Sequence, residues 1–483
     1  MKSTPPLTLA LLMAAPTYLL AASFEAPNGS KFEIVGFTKH EWTRAMTPVH
    51  VVPNSQSLYT IDSRNALSKP AQSQTERGPR NSELSMQQLS LGWSHETAGA
   101  VSMEARLTYR WRSAGSLTMF KQPDVDYRED GSNWLAHDYT ERFIGIGRPD
   151  LGSLKFGTQL SRSWSRSDAF SFPVGQSGAW ADSGAGYGIF PTALRLTSPA
   201  REDGSGKLTA EVTLATHDKN TFMVEQNRTT RSPNRTNTPG TAYSPNPTTP
   251  KAIELFLQFS NSKNLIELVV QSAQGAKQTA FGKSALVGWI GDPDPLSYRS
   301  TTPRNAAKPS QSVVTLQGNH WANPQNMYTW GLRRSQWSGS AASCNYSAAL
   351  GSCVFGLDPG FNYGPASESY LGYKASTFDA MLGWSHYQGP YTYTVSGVYF
   401  GRASSKNPIE WGQSNSAVHL NLGVARKMPE VHKGLTITAG VGSTHFSKIG
   451  PAPVSMPNNN FLAANPLYKR SGQSATAGLT WVF

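Results

Sequence analysis

Residues 101–113 read VSMEARLTYRWRS. Every second side chain is apolar or aromatic: Met103, Ala105, Leu107, Tyr109 and Trp111. Between them stand Ser102, Glu104, Arg106, Thr108, Arg110 and Arg112. A repeat of two is the period of an extended strand, whose successive side chains point to opposite faces. Strands of soluble sandwiches average roughly 5–6 residues, whereas a strand that crosses a bilayer needs roughly 9–11. This segment has the longer reach and one unbroken apolar face. An arginine on a lipid-facing surface costs about 2–4 kcal/mol at mid-bilayer. The apolar face therefore meets lipid, and Arg106, Arg110 and Arg112 point away from it into a wet interior.

The same alternation recurs along the chain. Leu208, Ala210, Val212 and Leu214 oppose Thr209, Glu211 and Thr213; Ile253, Leu255, Leu257 and Phe259 oppose Glu254, Phe256, Gln258 and Ser260. Val418, Leu420, Leu422 and Val424 oppose His419, Asn421 and Gly423, and Leu435, Ile437, Ala439 and Val441 oppose Thr436, Thr438, Gly440 and Gly442. Strands are expected at 31–44, 83–95, 100–112, 139–148, 153–162, 191–198, 207–217, 251–261 and 264–273. A second set is expected at 375–386, 391–402, 415–426, 434–444 and 473–483. Short turns (95–100, 148–153, 261–264, 387–391, 426–434) alternate with long polar loops (45–82, 113–138, 163–190, 218–250, 403–413, 445–470). That alternation is the arrangement of a transmembrane antiparallel β-barrel, and Trp93, Trp111, Trp384 and Tyr399 near strand ends suit its aromatic girdles. With both ends of the barrel on one side of the membrane, the interval 274–374 holds an even number of strands. Two of them, near 310–319 and 326–337, make 16 strands; SALVGWIG at 284–291, with a partner, makes 18. Either count encloses an aqueous lumen.

Composition excludes the other classes. Hydrophobic residues are 38% and charged residues 15%, below the roughly 45–50% and 25% of ordinary globular chains. With 11% aromatics this is neither a disordered chain nor a helical bundle. A mean hydropathy of −0.40 excludes a helical membrane protein. The net charge of +12 is spread along the chain with no run of five Lys or Arg, which argues against a nucleic-acid-binding arm. Met1-Lys2, the uncharged apolar stretch from Leu7 to Leu20 and the small residues Ala21-Ala22-Ser23 read as a secretory leader, 1–22, cleaved after Ala22 or Ser23. Residues 23–483 then form one domain, since no linker divides them. In an exported chain Cys344 and Cys353, in the Ser/Ala/Gly-rich loop 338–374, are expected to close a local disulfide.

Several segments carry a family resemblance. KFEIVGFTKHEW (31–42) resembles the opening strand of the general porins of Gram-negative outer membranes, the trimeric 16-stranded type. ELSMQQLSLGWSHETAGAVSMEARLTYRW (83–111) resembles their second hairpin, and ERFIGIGRPDLGSLKFGTQLSRSW (141–164) the third. Gly145, Gly147, Leu151-Gly152 and Phe156-Gly157 match that hairpin, with Thr158 where the family has a basic residue. ALRLTSP (193–199) resembles the strand leaving the constriction loop, and the terminal strand SATAGLTWVF ends on Phe483, an aromatic terminus typical of outer-membrane barrels. The resemblance implies a trimer in outer-membrane lipid. It also implies an inward-folded loop after the fifth strand, here 163–190, with Asp168 and Asp182 as its acidic members and Phe170, Phe172 and Trp180 as anchors. Basic residues are then expected opposite: Arg106, Arg110 and Arg112, together with Lys155 and Arg195, whose parity is inward. His40 and Arg44 join them in one register of 31–44, a register that Val35 and Phe32 contradict.

Guanidinium groups facing few carboxylates favour anions. The expected function is passive diffusion of small hydrophilic solutes, anions preferred, without cofactor or metal. A substrate-specific channel is the alternative, and an adhesin or receptor with the long loop 218–250 comes from another class. Catalysis has little support: the ten histidines are dispersed and no HExxH, GxSxG or GxxxxGK[ST] motif occurs.

Overall fold

A computed structural model describes residues 22–46, 49–51, 75–77, 81–114, 138–169, 180, 189–216, 251–274, 310–338, 374–402, 404–405, 416–448, 455 and 470–483. Sixteen long strands run in chain order around one antiparallel sheet. The first six are β1 (Lys31–Ala45), β2 (Asn81–Glu96), β3 (Ser102–Ala114), β4 (Asp138–Arg148), β5 (Gly152–Leu160) and β6 (Ile189–Thr197). Five more follow: β7 (Gly206–Thr216), β8 (Lys251–Ser260), β9 (Asn264–Gln274), β10 (Ser310–Asn323) and β11 (Asn326–Ser338). The last five are β12 (Lys374–Gln388), β13 (Tyr391–Phe400), β14 (Ala417–Lys427), β15 (Leu435–Phe446) and β16 (Ser471–Val482). Helix α1 (Arg162–Ala169) follows β5.

Pairing of β1 with β16, from Phe37↔Val482 to Ala45↔Ser474, closes the ring. Closure leaves no long strand with an open edge, which lets a sheet cross lipid, where unpaired backbone groups find no water. The count of 16 settles the alternative of 18: β9 pairs directly with β10 and β11 with β12, so the ring has no slot for a further pair. Residues 284–291, the expected leader up to residue 21, Asp182 and both cysteines lie outside the described residues.

The seam has a distinct construction. A short strand, Ala22–Glu25, pairs with β1 at Lys31–Ile34, below the stretch that β16 covers. The terminal residue then locks to β1: Phe483 N–H donates to Gly36 O at 2.9 Å and Gly36 N–H to Phe483 O at 2.7 Å. A side chain on Gly36 would stand 2.6 Å from the Phe483 ring, so the aromatic terminus needs glycine there.

Short turns gather at one end. They span 97–101, 149–151, 261–263, 324–325, 389–390 and 428–434. In the turn at 149–151, Arg148 Nε donates to Asp150 Oδ1 at 2.7 Å, and this bond holds the Asp150 carboxyl below the ordinary carboxylate range. The outward face is apolar and bare: Leu214, Ile253, Leu255, Leu316, Leu332, Leu382, Leu420, Leu422 and Val441 are exposed. In water such a belt would be unfavourable; in lipid it is the solvated face. Aromatic side chains cluster near the short-turn end, where Trp321 packs on Tyr387 (5.2 Å) and Trp384 stacks on His386 (5.7 Å), as girdles at a bilayer interface do.

Candidate functional site in the barrel lumen

The polar face of the alternation is the inner wall. Helix α1 touches inward side chains of β7, β8 and β9, and Trp180 touches those of β10 and β11. Only a segment inside a closed barrel reaches five consecutive strands from their polar face. The described parts of the connection from β5 to β6, α1 and Trp180, therefore lie in the lumen. Of its expected anchors, Trp180 is buried against the wall, while Phe170 and Phe172 lie outside the described residues.

The helix docks by charge. Arg162 and Arg166 lie four residues apart and so share one side of α1. The Arg162 guanidinium grips Glu211 of β7 (Nη2–Oε1 2.7 Å) and stacks over Phe256 of β8 (5.4 Å). Arg166 Nε donates to Glu267 of β9 at 2.7 Å. Glu254 of β8 closes the helix start, accepting the backbone N–H groups of Arg162 (2.7 Å) and Ser163 (3.1 Å), which have no partner inside a helix. Gln271 donates to Glu254 at 2.7 Å and Gln258 to Glu267 at 2.6 Å, so both buried carboxylates are fully engaged. Glu211, Glu254, Glu267 and Gln317 escaped the sequence reading as functional residues. The available signal was three glutamates of inward parity on three consecutive strands, facing an Arg-x-x-x-Arg helix.

The expected basic set divides in this geometry. Arg195 faces inward but is 5% exposed. It donates to Thr213 Oγ1 (2.9 Å) and Leu160 O (2.7 Å), with Glu211 and Glu254 within 3.9 Å. It braces the α1 dock and is no part of an open basic surface. Lys155 points into the lumen and is paired with Glu104 (2.8 Å), its ammonium 4.9 Å above the Phe143 ring. Arg106 stands 3.9 Å from Glu33 with its side chain 42% exposed. Arg110, nearer the long-loop end, donates Nε and Nη2 to Gln88 Oε1 (2.9 and 2.7 Å), a neutral acceptor. Arg112 occupies the inward register of β3 opposite Met86, and Asp168 lies in α1; the side chains of both lie outside the described ones. His40 and Arg44 do not belong to the set. Thr43 is buried against Thr476 (3.3 Å), which puts Lys39, Glu41 and Thr43 inward and Arg44 outward beside the exposed Trp42.

The wall is thus close to charge-balanced where the loop docks, and opens to solvent at Arg106. Among the described residues no group of three His, Cys, Asp or Glu is placed to hold a metal ion.

No protein-family profile matches the chain, and no curated protein does. Solved structures do. The anion-selective porin from Comamonas acidovorans is 10% identical with a TM-score of 0.51, over 94% of this chain and 100% of that one. Salmonella typhi OmpF, in complex with daunomycin, is 9% identical with a TM-score of 0.51, over 96% of this chain and 100% of that one. The outer membrane channel DcaP of Acinetobacter baumannii is 8% identical with a TM-score of 0.50, over 96% and 100%. At such identities the likeness is one of fold: the chain is a 16-stranded barrel of the porin kind.

Proposed function

We propose, from the porin fold, that this protein is an outer-membrane channel through which small hydrophilic solutes and ions diffuse passively. The observation that carries the reading is a closed, lipid-belted barrel whose inner wall is polar and has helix α1 docked on it. A loop docked on β7 to β11 narrows a channel, while β1 to β5 keep exposed lumenal groups such as Arg106 and Glu33. Transport then needs no reacting group, only a hydrated path.

An anion preference belongs to the same reading and rests on Arg106 and Arg110, the guanidiniums set on the wall away from the α1 dock. Lys155 and Arg195 add less, since Lys155 is paired with Glu104 at 2.8 Å and Arg195 is buried in the α1 dock, whereas Arg106 stays open to solvent. The ionic test is the reversal potential of single channels in a planar bilayer across a KCl gradient. Anion-selective sign supports the preference; cation-selective sign overturns it while leaving the diffusion channel intact.

Assembly as a homotrimer also belongs here. The outer faces of β7 to β10 carry aliphatic belts, whereas Arg142 of β4, Thr192 of β6 and Arg44 of β1 break the belt on the other side. A groove of about 560 Å³ opens there, lined by Phe32, Leu91, Leu107, Arg142, Ile144 and Phe156. A guanidinium at this depth is costly toward lipid, by about 2–4 kcal/mol at the midplane, and is better covered by protein. Arg334 of β11 is a comparable outward arginine elsewhere, set toward the long-loop end of its strand. A second copy seated on β1 to β6 covers both the groove and Arg142.

A further inference from the structure

Three connections from the long-loop end of the barrel meet at one buried point of the wall. The point is Asp379, inward on β12 and 0% exposed. Its Oδ1 accepts the Gly401 N–H (3.0 Å), just beyond β13, and the Ser455 hydroxyl (2.8 Å), from the connection between β15 and β16. Its Oδ2 accepts Nε and Nη2 of Arg333, both at 3.3 Å, from the position directly across on β11. Arg333 passes the link onward: Nη1 donates to the backbone carbonyl of Trp180 at 2.8 Å, and the guanidinium lies 4.1 Å from the indole centroid. The indole is 1% exposed, and its Nε1 donates to Gln317 Oε1 at 3.1 Å. It fills the place where Gly331 lacks a side chain; a Cβ there would stand 2.8 Å from the ring.

The wall does not need this pair for its own sake. The β11–β12 ladder holds Arg333 and Asp379 in register through backbone bonds, and a buried ion pair adds little stability over apolar residues of similar volume. An apolar pair could not, however, bind a carbonyl, an N–H and a hydroxyl from three separate segments. We propose that Arg333 and Asp379 form a latch that sets the free cross-section of the pore, with Trp180 as the key that seats the constriction loop in it. This rests on the diffusion-channel reading; the residues are positioning residues that need not touch the solute.

The test uses the full chain inserted in bilayers, comparing native protein with Trp180→Ala, Gly331→Val and Asp379→Asn. Asp379→Asn leaves Arg333 buried without its carboxylate and can fail to fold. The other two keep the ion pair, and a heat-modifiable gel shift reports that their barrels are closed. Unit conductance and open-channel noise are read first, then the rate at which protease cleaves between residues 170 and 188. Trp180→Ala and Gly331→Val are expected to raise conductance, noise and cleavage rate above native. Folded variants with native values of all three overturn the latch. If native protein does not conduct, the channel reading and the latch's role in pore size fail together, and the cleavage rates decide the seating alone: faster cleavage in both variants upholds Trp180 as the seat of the loop, and unchanged cleavage overturns that too.

Discussion

Arg106 and Arg110 stand on the same inward row of β3, yet their surroundings differ. Arg106 has a carboxylate 3.9 Å away and solvent beside it; Arg110 is held by two bonds to the neutral Gln88 amide. Replacing both by Ser removes two positive charges from the open part of the wall, so the reversal potential in a KCl gradient should move toward cation selectivity. No movement would show that the ionic preference is set elsewhere. Lys155→Ser alone should move it less, because Glu104 already offsets that charge. Face was legible in the sequence at all of these positions, because a period of two assigns every residue of a strand to one side. Partners were not. Glu104 meets Lys155 across β4, with Gly145 between them, and such a pair depends on strand neighbours and register, which alternation does not specify.

At the scale of elements, the strands were legible because each long apolar face repeats without a break, and the structure places them within a few residues of the expected bounds. The weak case was β1, where Phe32 and Val35 blur the alternation. Its ambiguity has a physical source: the lower part of β1 pairs with the short strand Ala22–Glu25 and Phe32 stacks on Phe24 (4.9 Å), so aromatic contacts govern there and not a clean lipid–water divide. The terminal Phe483 over Gly36 completes this seam, and Gly36→Val, which fills the space of the ring, should leave the barrel less heat-stable on gels. Unchanged gel stability would show that the seam tolerates displacement of the ring. Helix α1 was missed within a region read as loop, because its docking face is charged and carries no apolar stripe. Glu254→Ala removes the acceptor of two helix-start N–H groups. A lost cap is worth about 0.5–2 kcal/mol, so the effect belongs to the loop: noisier open-channel current, with the barrel still heat-modifiable.

For the whole molecule, stability and function divide between the two faces of one sheet. Lipid solvates the outer belt, the closed ladder satisfies the backbone, and the inner face is left free to carry charge. Arg142, outward on β4 and lining the groove beside it, is the outward arginine on which the trimer reading rests. Arg142→Leu makes that face acceptable to lipid, and the share of protein crosslinked as trimers in detergent or membranes should fall. A trimer share equal to native would remove Arg142 from the interface. Liposome swelling in neutral sugars of graded size tests most directly whether the lumen is an open aqueous path. Folded protein should make liposomes swell at rates that fall steadily as the sugar grows, with small sugars entering freely. Liposomes containing the heat-modifiable, folded barrel that do not swell even in the smallest sugar would contradict it.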